Sequence, residues 1–157
     1  MPHESRLQVY ERMLAEIRGI VLSESDAIAR QATVASILFR DLNLEWVGFY
    51  RASGEELILG PFQGPPVCTR IAFTAGVCGT AARTASAIVV PDVREFPGYI
   101  QGSGATLSEI TVPLIHNGSV ELILDADSSE LSYFSGVDTE KFREILAMIQ
   151  SLPRGAE

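Results

Sequence analysis

Between residues 109–115 and 120–126, two runs rich in β-branched and aliphatic side chains, the chain places Asn117-Gly118. That dipeptide adopts the left-handed backbone of a tight turn with little strain, so the two runs pair as neighbouring antiparallel strands. A directly connected antiparallel pair excludes a sheet wound entirely through helical crossovers. A second pair lies upstream. Residues 45–51 hold Trp46, Val47, Phe49 and Tyr50, Gly54 turns the chain, and residues 56–60 return through Leu57, Ile58 and Leu59.

The flanking segments have the other period. Residues 7–22 carry Leu7, Tyr10, Met13, Leu14, Ile17, Ile20 and Val21, and residues 27–42 carry Ile28, Val34, Ala35, Leu38 and Phe39. Both are stripes of helical spacing, separated by a break and cap at residues 23–26. Both stripes are expected to lie on the sheet, and the first could also pair two subunits as a homodimer. Further on come a short strand at 69–73, a helix at 78–83 and a buried strand at 87–90 stopped by Pro91. Residues 91–107 form a long loop with Pro97, Gly98, Gly102 and Gly104; such loops in a compact domain are more often functional than idle. The last helix begins near Ser135, with Asp138 three residues on in the manner of a capping box, and runs through Phe142, Ile145, Leu146 and Ile149 to Pro153. This order predicts an α+β fold, a central antiparallel sheet with helices packed against it. The 157 residues suit one domain, with helices in 1–43, sheet and pocket in 44–126 and the C-terminal helix in 135–152.

Charge narrows the partners. A net charge of −8 argues against nucleic acid or an anionic membrane surface. No apolar run approaches the ~20 residues of a membrane span, and the first residues lack the apolar core of a secretion signal. The expected location is the cytoplasm, where two cysteines are reduced thiols rather than a disulfide framework. Two histidines and two cysteines placed this way give no zinc-type spacing, so no metal is expected.

Candidate chemistry gathers in three places. Cys68 and Cys78 bracket residues 69–73, and Cys78 opens the helix that follows. A thiol at a helix start meets unpaired N–H groups and the positive end of the dipole, which favours the thiolate; a plain core cysteine is the competing reading. Asp125 and Asp127 stand two apart on a strand, hence on one face, as a site or as the solvated face of an edge strand. Trp46 and Tyr50 also share a face, and composition alone would make them core.

Trp46-Val47-Gly48-Phe49-Tyr50, Leu59-Gly60-Pro61-Phe62-Gln63-Gly64, Cys68, Gly76-Val77-Cys78-Gly79-Thr80-Ala81, Ser108-Glu109-Ile110, Pro113-Leu114 and Leu124-Asp125-Ala126-Asp127-Ser128 carry a resemblance. In that order they are similar to the free methionine-(R)-sulfoxide reductases, stand-alone GAF domains that reduce the free amino acid. The resemblance implies a GAF fold and a closed pocket for free methionine sulfoxide or a similar small zwitterion. It also implies no bound cofactor, and thiol chemistry recycled by thioredoxin or another dithiol.

Residue by residue, the resemblance carries Cys68 and Cys78 onto two of the family's three cysteines. Glu109, Asp125 and Asp127 fall on the acidic residues around the sulfoxide and amino groups, and Trp46 and Tyr50 on the pocket wall. Three carboxylates crowded together raise at least one pKa, which makes a proton donor such as Glu109. The family's attacking cysteine falls on Gly102, followed here by Ser103, and Leu122 replaces a small residue near the expected pocket floor. Two functions follow. One is a reductase of impaired turnover that relies on Cys78; the other is a catalytically inactive small-molecule-binding GAF module. A nucleotide-sensing GAF would need an output domain, for which 157 residues leave no room.

Overall fold

The computed structural model describes residues 3–151. Its elements are α1 (Arg6–Val21), α2 (Ala27–Leu42), β1 (Trp46–Ser53), β2 (Glu56–Gln63), β3 (Arg70–Ala72), α3 (Gly76–Thr84), β4 (Ile88–Val90), β5 (Ser108–His116), β6 (Ser119–Ser128) and α4 (Gly136–Ser151). The six strands form one antiparallel sheet in the order β3-β2-β1-β6-β5-β4. The expected end of the last helix at Pro153 lies outside the described residues.

The β5–β6 hairpin turns where Asn117 and Gly118 predict it. Both have positive φ, 50° and 80°, as a type I′ turn demands, and His116 pairs with Ser119 across it. β1 and β2 are joined through Gly54 at φ 62°. β2 runs three residues beyond the expected end at Gly60, through Pro61 to Gln63. Proline is tolerated there because the β1–β2 ladder shifts register between Gly48 and Tyr50 and β3 pairs only with residues 56–58.

The helix caps follow from sequence. Ser5 and Gln8 exchange hydrogen bonds in a complete capping box ahead of α1. Asp26 accepts from the Ala29 N–H ahead of α2. At α4 only half of the box forms: the Ser135 N–H donates to Asp138, 2.8 Å. Asp138 is occupied from the other side by Tyr10 Oη at 2.5 Å and Arg6 Nε at 3.0 Å, which ties α4 to α1.

Strand alternation splits the domain into two layers with different tasks. Val47, Phe49, Ile110, Val112, Leu114, Leu122, Leu124 and Ala126 face one side and build the main core with α1, α2 and α4. Trp46, Tyr50, Leu57 and Ile123 face the other side, where they pack with Ile71 and with Cys78, Ala81 and Ala82 of α3. Two expectations are corrected here. α2 lies on the sheet, but α1 packs chiefly across α2 and α4. Leu122 does not line the cavity on the α3 side of the sheet: it shares the parity of Leu124 and Ala126 and belongs to the helix-side core.

Candidate functional site

The central strands set the floor of a cavity on the α3 side of the sheet. On β6, Asp125 lies between Gly48 of β1 and Thr111 of β5, and Asp127 between Trp46 and Glu109. Period two then points Trp46, Tyr50, Glu109, Asp125 and Asp127 the same way. Together with Cys68 and Cys78 they line one cavity of about 480 Å³ of atom-free space, its mouth included. The structure therefore brings every sequence-nominated site residue to a single place. Residues 99–102 of the long loop close one side of it.

The aromatic wall is seated by missing side chains. A Cβ on Gly48 would stand 2.5 Å from Phe62 Cβ and 2.6 Å from the Trp46 ring, so only glycine leaves the indole its place. Trp46 stacks on Phe62 with centroids 5.7 Å apart and leans on Tyr50 at 6.0 Å. The Tyr50 hydroxyl reaches the Cys68 carbonyl at 3.3 Å, tying the loop that carries Cys68 to β1.

The acidic floor is buried. Glu109, Asp125 and Asp127 are each about 5–6% exposed. Thr111, fully buried, donates to Asp125 Oδ1 at 2.6 Å and lies 3.5 Å from Glu109 Oε1. The sequence reading missed Thr111, although its place two residues after Glu109 puts it on the same face. Burial, then the charges of Asp125 and Asp127, push Glu109 well above the ordinary carboxyl range. Burial, then Asp125, does the same to Asp127. Burial also raises Asp125, but hydrogen bonds from Glu109, Thr111 and Cys78 oppose it. Of the three, Asp125 is therefore raised least and most readily carries the negative charge of the cluster.

Cys78 corrects the expectation of a thiolate. The helix begins at Gly76 rather than at Cys78, and the thiol projects into the acidic floor. Its Sγ lies 3.9 Å from Glu109 Oε1 and 3.9 Å from Thr111 Oγ1. Burial first, then the charges of Asp125, Glu109 and Asp127, push its pKa well above the ordinary thiol value. Carboxylates and desolvation outweigh the helix dipole, and Cys78 is a thiol. Cys68, at the same cavity, is exposed.

Two buried polar atoms of the cavity have no hydrogen-bond partner, the Trp46 indole N–H and Asp127 Oδ1. Leaving such groups unpaired costs about 1–3 kcal/mol each, so a ligand that supplies partners gains that much. None of the described residues lining the cavity is basic. Gly102 also lines it, and a Cβ there would meet only Val67 Cγ1, at 3.3 Å. The neighbouring Ser103 Oγ donates to Glu45 Oε1 at 2.8 Å, anchoring the loop beside β1.

Comparison with known proteins agrees with this architecture. The GAF domain family profile matches residues 26–149. The chain is 41% identical over 148 residues to GAF domain-containing protein A of Dictyostelium discoideum, covering 94% of each. It is 34% identical over 151 residues to the free methionine-R-sulfoxide reductase of Saccharomyces cerevisiae, covering 90% of this chain and 84% of that one. It superposes with a TM-score of 0.91 on the X-ray structure of the free methionine-R-sulfoxide reductase from Neisseria meningitidis in complex with its substrate, at 37% identity over 96% of this chain and 91% of that chain.

Proposed function

The chain belongs to the GAF domain family and, within it, to the free methionine-R-sulfoxide reductases, and on that premise we propose that its cavity binds free methionine-(R)-sulfoxide and reduces it slowly. The observation that carries the reading is the pair of unpartnered groups, the Trp46 N–H and Asp127 Oδ1, in an acidic cavity without a basic residue among those described. A zwitterion supplies both complements: an ammonium for the carboxylates and an acceptor oxygen for the indole N–H.

In the reaction, Cys78 Sγ attacks the sulfoxide sulfur as the thiol proton leaves to the neighbouring acidic cluster. The S–O bond breaks with Glu109 as proton donor, and the oxygen passes to Cys78 as a sulfenic acid while free methionine leaves. A thiol then displaces that oxygen as water, forming a disulfide, and a dithiol of the thioredoxin type restores Cys78 by exchange. Cys68, exposed at the same cavity, is the second thiol available to this relay. Turnover is low for two reasons: Gly102 offers no nucleophile, and Cys78 keeps its proton.

The test is calorimetric titration with the (R)- and (S)-sulfoxides of free methionine, followed by turnover with a dithiol. Stereoselective binding with slow turnover is expected. Binding without measurable turnover makes the protein a small-molecule-binding GAF module. Absence of binding overturns the reading.

A further inference from the structure

Cys78, Glu109 and Asp125 each present one ligand atom, and these atoms lie within 4.8 Å of one another. We propose that this triad, with Asp127 beside it, is a binding site for one zinc-type divalent cation, which competes with any organic ligand of the cavity.

The geometry is close to what such an ion requires. Tetrahedral zinc with ligands at ~2.3 Å for sulfur and ~2.1 Å for oxygen separates a sulfur from an oxygen by about 3.6 Å. Cys78 Sγ and Glu109 Oε1 are 3.9 Å apart, so a side-chain adjustment of a few tenths of an ångström closes that edge. A second observation points to a ligand independently of the cluster. Asp127 is only 6% exposed, lines the same cavity, and its Oδ1 has no partner. On β6 it stands two residues from Asp125 and directly opposite Glu109, beside the triad.

The support is rigid. Glu109 and Asp125 sit on paired strands, and Cys78 on a helix that Gly79 lets approach the Ala72 carbonyl closely. Thr111 holds Asp125 in place through its hydroxyl, the kind of outer hydrogen bond that orients a ligating carboxylate. No basic side chain among the described lining residues competes for the negative charge. The sulfur decides the class of ion: a thiolate selects zinc, cobalt or cadmium over magnesium and calcium, which prefer all-oxygen sites. The sequence concealed the site because its ligands come from α3, β5 and β6 rather than from one short motif. The inference concerns the cavity of the proposed reductase but does not rest on that activity.

The test titrates the reduced protein with Co²⁺ and reads its absorption. One equivalent is expected, with a thiolate-to-cobalt charge-transfer band and the visible intensity of tetrahedral Co²⁺. Zn²⁺ should displace it, and Mg²⁺ in large excess should not. Cys78→Ser should remove the charge-transfer band, and Asp125→Asn should weaken binding roughly tenfold or more. Cys68→Ser should keep both band and affinity, which answers the case where a Cys78 variant folds poorly. The proposal falls if no band forms, if the band disappears with Cys68→Ser, or if Mg²⁺ displaces cobalt as well as Zn²⁺ does. Metal binding is read directly, so missing reductase turnover bears on the proposed activity alone.

Discussion

Gly102 and Cys78 are one chemical question divided between two positions. At Gly102 the backbone needs no glycine: φ is ordinary for an L-residue, and an added Cβ meets a single methyl group of Val67. Gly102→Cys should therefore fold as the parent does and raise sulfoxide turnover at least tenfold, by returning covalent catalysis to the cavity mouth. Cys78→Ser should abolish the slow activity of the parent, both being read as methionine formed per enzyme per unit time with a dithiol present. Unchanged turnover in a folded Gly102→Cys variant would refute the role given to that position. What the sequence disclosed here was residue identity and parity: Glu109, Asp125 and Asp127 meet because even spacing on paired strands leaves them no other face. The ionisation of Cys78 was not legible, because it depends on carboxylates 31 and 47 residues away that outweigh the local helix dipole.

The elements differ in how openly the sequence declares them. Hairpins were readable, since Asn117-Gly118 and Gly54 specify their own turns. The ends of β2 were not, because whether Pro61 stops a strand depends on how far its neighbour β3 extends. Nor was the seat of α1, whose stripe fits helices as well as a sheet. α1 and α4 are locked by Asp138, 1% exposed, which accepts from the Tyr10 hydroxyl, Arg6 and the Ser135 N–H. Asp138→Ala would leave a buried hydroxyl and a helix cap unpaired at once. The expected loss is about 2–4 kcal/mol in denaturant unfolding, whereas Tyr10→Phe should cost about 1 kcal/mol. Equal costs for the two would argue against a shared anchor.

For the molecule as a whole, the acidic floor is a standing cost to the fold. Glu109, Asp125 and Asp127 have folded-state pKa values above their unfolded ones. The stability they permit is complete below the unfolded carboxyl range and declines as pH rises through the folded values. Asp127→Asn removes the charge that burial disfavours and should stabilise the ligand-free protein at neutral pH, read as a rise in Tm. It should also flatten the dependence of Tm on pH between mildly acid and neutral conditions. A neutral or destabilising Asn variant would show that the floor is already compensated in the free protein. The sequence gives the parity that gathers these groups, but it cannot give the missing counter-charge, which only the assembled cavity reveals.

The unequal exposure of the two cysteines gives the protein an internal clock. Cys68 stands open to solvent, while Cys78 is buried at the cavity that residues 99–102 also line. An alkylating reagent should mark the exposed Cys68 first, and Cys78 only in the moments when a fluctuation brings its thiol to water. The ratio of the two labelling rates, followed by mass spectrometry, counts those openings per unit time. Any molecule that settles on the acidic floor should slow the second rate and leave the first untouched, so occupancy can be timed without knowing beforehand what the occupant is.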